Sequence, residues 1–313
     1  MTAGWRSRGE QAPKGPPEPQ LAWGRRYLMC PPVHYGVLYE INPWMHKEVK
    51  VDRDRAQEQW DGLVATLRAA GADVVIAEPD ASVPDMVFTA NAGIVNCRAD
   101  GTRQFVPAHF RYPERQPETD IFAAWFEAEG FTVDRLPAAL AHEGAGDALP
   151  FAGSLLSGYR FRSDLPATAE LARLTGAPVR AVELVDERLY HIDITFCPLD
   201  DRRAMAAPMG WDRYGRTVVE ALVPEPLWLT DDEALSFCAN SVVVGSTVVM
   251  ANTPPRVGRQ LEAWGFDVVT CDVGEFLKAG GGCRCLTLAL DVSLGQPAPV
   301  PDEHATPSGG RHG

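Results

Sequence analysis

Thr119-Asp-Ile-Phe-Ala-Ala-Trp-Phe-Glu-Ala-Glu-Gly130-Phe-Thr-Val133 sets Ile121, Phe122, Trp125 and Phe126 at helical spacing. Thr119 to Glu129 therefore reads as a helix with one apolar face. Gly130 stands where a helix ends easily, because glycine accepts the left-handed backbone of that position. Phe131 to Val133 then reads as a strand. A glycine-rich loop follows, His142-Glu-Gly-Ala-Gly-Asp147. After it, Ala148 to Phe151 and Ser154 to Ser157 form a hairpin around Ala152-Gly153. The order is helix, strand, polar loop, hairpin.

The same order recurs on both sides. Upstream, Asp54 to Ala70 is helical, with Trp60, Leu63, Val64 and Leu67 on one side. Gly71 ends it, and Ala72 to Ile76 is a strand. The loop Pro84-Asp-Met-Val-Phe-Thr-Ala-Asn91 leads to a hairpin, Ala92 to Asn96 and Arg103 to Pro107. Downstream, Leu165 to Thr175 is helical, Gly176 ends it, and Pro178 to Leu184 is a strand before His191-Ile-Asp193. Tyr214 to Leu222 and Pro226 to Leu229 begin a fourth pass, with Asn240 before the hairpin of Ser241 to Val244 and Ser246 to Met250. Val257 to Trp264, Gly265 and Phe266 to Thr270 begin a fifth. A period of about 50 residues marks a repeated unit that buries its faces against its neighbours. Such passes, each with a polar loop, predict an α/β ring whose loops converge on the axis. An open doubly wound sheet is the alternative, but no Gly-x-Gly-x-x-Gly follows a first strand.

The composition is that of a soluble globular protein, 313 residues with 45% hydrophobic and 23% charged. A net charge of −13 argues against nucleic acid and anionic membrane surfaces and permits a cationic small substrate. No apolar run is long enough to span a bilayer, and Met1 to Gln20 lacks the apolar centre of a signal peptide, so a cytoplasmic address is expected. Residues 1–25 and 293–313, rich in proline, glycine and charge, are expected to be disordered around a single domain over 26–292. The seven cysteines form no disulfide framework and are expected to be reduced. Cys283-x-Cys285 is not a zinc-knuckle spacing, so no metal or cofactor is expected. A homo-oligomer is compatible with this sequence.

The loops deliver, in order, Asp85 and Asn91, Glu143 and Asp147, His191 and Asp193, Asn240, and Cys285. Cys285 lies in Gly280-Gly-Gly-Cys-Arg-Cys-Leu-Thr-Leu288, before an apolar run from Leu286 to Val292 that reads as a buried strand. A thiol after a glycine turn suits nucleophilic work, and a neighbouring histidine or cation makes it thiolate-rich. Histidine can protonate a leaving nitrogen and then activate water. Carboxylates grip a planar guanidinium by paired hydrogen bonds. Each residue alone has an ordinary reading: a buried structural thiol, a satisfied strand histidine, turn carboxylates. Their recurrence at equivalent points of the repeats favours the chemical reading.

Four segments, 84–91, Glu143-Gly-Ala-Gly-Asp147, His191-Ile-Asp193 and 280–287, resemble the guanidine-modifying amidinotransferase superfamily. That group includes arginine deiminases, dimethylargininases, arginine dihydrolases and amidinotransferases. The resemblance covers roughly residues 26–292. It implies a five-module α/β propeller with pseudo-fivefold symmetry. It also implies that Cys285, followed by Leu286 and Thr287, attacks the guanidinium carbon, with Cys283 a bystander. His191 would be the general acid and base, Glu143 would position it, and Asp193 would hold the guanidinium. Arg162 matches the arginine that binds the substrate carboxylate, with Arg160 as its near neighbour. Asp85 is placed among the substrate-binding residues.

The chain departs from deiminases and dimethylargininases at Ala90-Asn91, where those enzymes carry acids. Asn91, like Glu40-Ile-Asn42-Pro-Trp-Met45, resembles the arginine dihydrolases, which release ornithine. Asn42 enters the substrate-binding set on that ground. Amide 91 can both donate and accept, so it can hold a cation and then a ureido group, where a carboxylate only accepts. The expectation is a hydrolase acting on arginine. The alternatives are a dimethylargininase or deiminase giving citrulline, an amidinotransferase, and a non-catalytic binding protein on the same scaffold.

Overall fold

Five separate three-stranded sheets make up the chain. They are seen in a computed structural model that describes residues 20–295. In each sheet an antiparallel pair is joined by a third strand, parallel to the middle one. Gly93–Cys97 pairs with Arg103–Pro107, and Thr132–Val133 joins in parallel. Ala148–Phe151, Ser154–Tyr159 and Val179–Glu183 repeat the pattern. So do Phe196–Pro198, Arg203–Ala206 and Glu225–Trp228, and Val242–Val244, Thr247–Met250 and Asp267–Thr270. The unit joined by hydrogen bonds is thus hairpin, helix, strand. The hairpin pairs with the strand beyond the next helix, whereas the sequence reading had grouped it with the strand before. A parallel partner needs a helix-length crossover, and here the helix supplies it. The fold is an α/β propeller of five modules with pseudo-fivefold symmetry, and five separate sheets rule out the doubly wound one.

The two ends of the chain complete the first module. Arg26–Met29 pairs antiparallel with Leu288–Ala289, setting Leu28 opposite Leu288, and parallel with Asp73–Ile76. Packed residues extend beyond the expected bounds of 26 and 292. Leu21, Trp23 and Leu294 are buried, and the Leu294 N–H donates to Asn96 Oδ1 at 2.9 Å. The remainder of the two segments expected to be disordered lies outside the described residues.

The five long helices are α1 (Arg53–Ala69), α2 (Glu118–Ala128), α3 (Ala167–Thr175), α4 (Arg213–Leu222) and α5 (Pro255–Ala263). They form where the apolar spacing predicted. Asp52 caps α1 by accepting from the Arg55 N–H at 3.1 Å, meeting one of the unpaired donors of its first turn. Leu63, Val64 and Leu67 of α1 are buried. Burying each contributes about 1.5–3 kcal/mol relative to exposure. Beyond α1, α2, α3 and α5, Gly71, Gly130, Gly176 and Gly265 have φ of +96°, +80°, +74° and +89°, a backbone that disfavours any Cβ. Helix α4 ends instead before Val223-Pro224.

The run from Leu286 to Val292 is not one strand. Only Leu288–Ala289 pairs, and residues 283–286 form a turn. The Thr287 N–H donates to the Arg284 carbonyl at 3.1 Å, which curls the chain just where an extended strand was expected. The loops before the hairpins are likewise short helical turns, among them Pro84–Val87, Thr89–Ala92, Gly144–Asp147 and Ile192–Thr195.

Candidate active site

These turns converge on one small cavity lined by Asn42, Asp85, Asn91, Arg162, His191 and Cys285. Glu143 and Asp193 stand one hydrogen bond behind it. The free space is about 10 Å³, room for about one water. Ile41, Met45 and Phe88 complete its apolar wall.

His191 Nε2 lies 2.9 Å from Glu143 Oε2, both fully buried. A carboxylate only accepts, so Nε2 carries the proton and Nδ1 keeps its lone pair. Burial pushes the His191 imidazolium down to about 4, against the pull of Glu143, so the ring is neutral near pH 7. Burial also opposes the charge of Glu143. Arg162 and the His191 bond outweigh it and hold that carboxyl down at about 2. Arg162 Nη1 donates to the same oxygen at 2.8 Å. The Glu143 N–H donates to Ser163 Oγ at 3.0 Å, and Ser163 in turn donates to Asp147 at 2.6 Å. Asp147 accepts from the Ile192 N–H at 3.3 Å, which ties the Glu143 turn to the His191 turn.

Cys285 Sγ lies 3.4 Å from Asp193 Oδ2 and receives a hydrogen bond from Asn240 Nδ2 at 3.1 Å. Burial, then the nearby Asp193, push the thiol up. Burial pushes Asp193 up to about 7, opposed by its contacts with Cys285 and Arg284. Asp193 Oδ1 is buried with no hydrogen-bond partner among the described residues. A buried acceptor without a donor is costly, and a guanidinium N–H would satisfy it. Cys283, two residues away, is fully buried and does not line the cavity. All seven cysteines are free.

Asn91 is held from both sides. Its Nδ2 donates to the Glu143 carbonyl at 3.2 Å, and its Oδ1 accepts from Arg115 at 3.0 Å. Arg115 is a site residue that the sequence reading missed. It is buried and makes a two-point ion pair with Glu118 at 2.7 and 2.8 Å. Its place in Pro113-Glu-Arg-Gln-Pro117 looks like a surface turn, and the three-residue step to Glu118 was the one available signal. Tyr190 was missed as well: it lines the cavity, and its hydroxyl donates to the Gly280 carbonyl at 2.9 Å. Asp85 Oδ1, buried at the cavity wall, also has no partner among the described residues. Burial raises its carboxyl, with Arg115 opposing.

Of the two neighbouring arginines, Arg160 lies on the surface, paired with Glu183 at 2.8 Å. Arg162 is buried between the rings of Tyr112 and Tyr190, 4.9 and 4.7 Å away, and also donates to the Ile41 carbonyl at 2.9 Å. Asn42 donates to the Ala279 carbonyl at 3.0 Å and accepts from the Trp44 N–H at 2.9 Å. Trp44 Nε1 donates to the Arg188 carbonyl at 2.8 Å. The segment from Ile41 to Met45 is thus tied down at the cavity wall. Among the described residues no group of three or more metal-ligating side chains clusters, and no helix is long and apolar enough to cross a membrane.

The geometry puts a thiol, a neutral imidazole backed by a carboxylate, and the unpartnered buried oxygen of Asp85 around one small space, with the unpartnered oxygen of Asp193 behind the thiol. Its unmet hydrogen bonds call for a donor-rich cation. No protein-family model matches the chain. It is 42% identical over 270 residues to the bifunctional arginine dihydrolase/ornithine cyclodeaminase AgrE of Nostoc sp., covering 85% of this chain and 38% of AgrE. The chain thus spans about two fifths of that relative's length. It is 37% identical over 278 residues to the N(G),N(G)-dimethylarginine dimethylaminohydrolase of Mycobacterium tuberculosis, covering 88% of this chain and 89% of that protein. The substrate-bound N-terminal domain of ArgZ, a cyanobacterial arginine dihydrolase, superposes with a TM-score of 0.81 at 39% identity, covering 86% of this chain and 99% of that domain. A propeller of five modules with these relatives belongs to the guanidine-modifying amidinotransferase superfamily, among its arginine dihydrolases and dimethylarginine dimethylaminohydrolases.

Proposed function

We propose that the protein is an arginine dihydrolase, converting arginine and two waters to ornithine, two ammonias and carbon dioxide. The observation that carries this reading is Asn91, a neutral amide fixed at the cavity between Arg115 and the Glu143 carbonyl. The similarity to AgrE and to the ArgZ domain supports it.

Cys285 Sγ attacks the guanidinium carbon. Asp193, whose free Oδ1 faces no donor, receives the guanidinium N–H groups as a carboxylate. Asp85 supplies a second acceptor for the cationic substrate. His191 takes the proton that Cys285 gives up and delivers it to the departing nitrogen, and ammonia leaves as the C–N bond breaks. The carbon is then held as a Cys285 thioether-linked amidino group. His191 next removes a proton from water, which attacks that carbon. Breaking of the C–S bond restores the thiol and leaves a ureido group. Asn91 holds this neutral group for a second round: Cys285 attacks the ureido carbon and a second ammonia leaves, water then breaks the C–S bond, and the resulting carbamate loses carbon dioxide to leave ornithine. Glu143 keeps His191 in the needed tautomer and stabilises its imidazolium when it forms. Arg162 holds Glu143 in the closed site. Arg162 is also the cation assigned to the substrate carboxylate.

The test is a panel of guanidines, with arginine, methylarginines and arginine analogues lacking the carboxylate, each followed by mass spectrometry. The reading expects arginine to be consumed fastest and ornithine to appear. Consumption of methylarginines with citrulline as the product would make the protein a dimethylargininase. Turnover only when an acceptor amine is added would make it an amidinotransferase.

A further inference from the structure

Asn240 has every hydrogen-bonding position of its amide filled. Nδ2 donates to Cys285 Sγ and to the Asp193 carbonyl, each at 3.1 Å. Oδ1 accepts from the Gly282 N–H at 3.1 Å and the Cys285 N–H at 3.2 Å. The side chain is fully buried. The two backbone donors fix which way the amide faces, because a flipped amide would set its NH₂ against two N–H groups. The nitrogen therefore faces the sulfur of necessity. The approach is close: a Cβ added to Gly282 would lie 2.9 Å from Asn240 Oδ1. Asn91 and Asn240 each stand two residues before the first strand of their hairpins, Gly93–Cys97 and Val242–Val244. The fifth module thus sends an amide to the thiol where the second sends one to the substrate space.

We propose that Asn240 is the positioning residue of the thiol: it holds the Gly282–Cys285 turn against Asp193 and donates the hydrogen bond that stabilises the Cys285 thiolate. The inference rests on the reading of Cys285 as nucleophile. The titratable group nearest the sulfur is Asp193, at 3.4 Å, whose negative charge works against a thiolate. Across the cavity stand His191, Tyr190, Asp85, Arg115 and Arg162. Asn240 is the neutral donor in direct contact, and a hydrogen bond to a charged acceptor is about twice as strong as one between neutral groups. An aspartate at this position would keep the shape and the two backbone bonds but turn the donor into an acceptor. A leucine would keep neither.

The test reads the thiol itself rather than turnover. Cys285 in the full chain is alkylated with iodoacetamide across a range of pH, and labelling is read by peptide mass spectrometry. Asn240→Asp is expected to raise the labelling midpoint by roughly one to two pH units, with about ten- to hundredfold slower labelling at pH 7. Asn240→Ala should shift it in the same direction by less, since it adds no charge. An unchanged midpoint in either variant, folded by circular dichroism, overturns the proposal. If neither variant folds, the side-chain amide protons of Asn240 are followed by NMR in the ¹⁵N-labelled wild-type protein. They are expected to shift with the Cys285 titration, and protons that stay fixed through it overturn the proposal. Full turnover by Cys285→Ser would instead sink the reading of Cys285 as nucleophile, and the labelling profile would still decide the role of Asn240.

Discussion

One oxygen of Glu143 serves two partners: Oε2 accepts from His191 Nε2 at 2.9 Å and from Arg162 Nη1 at 2.8 Å. The imidazole is therefore oriented by a carboxylate whose charge is itself fixed by a buried guanidinium. Because Arg162 also bonds the Ile41 carbonyl, the 41–45 segment at the cavity wall and the His191 dyad share one side chain. Movement of that segment would be felt at His191 through a chain of three hydrogen bonds.

Glu143→Gln should lower turnover by about two to four orders of magnitude, the usual cost of disabling an acid–base pair. The sign of the accompanying titration is fixed. Glu143 pulls the His191 pKa upward, so its removal should move the imidazole titration further below its folded value of about 4. NMR of the His191 ring protons would read this. An unchanged or raised midpoint with full activity would count against the positioning role.

Cys285→Ser should abolish turnover, and Cys283→Ser should leave most of it. Cys285 lines the cavity while Cys283 is buried outside it. Equal losses in the two variants, or loss only at Cys283, would contradict the assignment.

Arginine binding should weaken at low pH through Asp193. Its carboxyl, raised by burial to about 7, must lose a proton to meet a cation. Affinity should therefore be full above pH 7 and fall up to about tenfold for each pH unit below it. Calorimetry on Cys285→Ser in buffers of different ionisation enthalpy should show about one proton released per arginine at pH 6. Asp193→Asn should remove both the proton release and the pH dependence. No proton release in the Asp193 protein would rule this out.

Much of the fold was legible because helix faces and strands carry their period in the sequence. Trp60, Leu63, Val64 and Leu67 announce α1, and the glycines after four helices announce where each stops. The sheet partners were not legible. Pairing of Arg103–Pro107 with Thr132–Val133 depends on the crossover of α2, which no local pattern encodes. Asp85, Asn91, Glu143, His191, Asp193 and Asn240 stood out as a set because each lies in the loop before a hairpin, whereas Asn42 and Arg162 were legible only through the family resemblance. Arg115 did not, because its burial is decided by Asn91, Asp85 and Glu118 meeting it in space. The backbone at Cys285 was misread for a similar reason: Asn240, 45 residues earlier, bends it by binding two of its N–H groups.

Gly146→Ala should impair the site without unfolding it. A Cβ there would lie 2.2 Å from Asn91 Nδ2 and 3.4 Å from His191 Nδ1, so the Asn91 amide has to move. Overpacking of this kind costs about 1–3 kcal/mol. Thermal melts should show that loss, and product analysis should show more citrulline per arginine consumed. Wild-type activity and product ratio would mean that the Asn91 position is not critical.

Arginine carrying ¹³C at the guanidino carbon gives the most direct measurement. Asn91 is read as the group that keeps the ureido intermediate in place for a second attack. Wild-type protein should move the label into carbon dioxide and bicarbonate, with unlabelled ornithine in equal amount and no build-up of labelled citrulline. Asn91→Asp should release labelled citrulline or stop after the first covalent adduct. If the wild-type protein leaves the label in citrulline, the dihydrolase account is wrong.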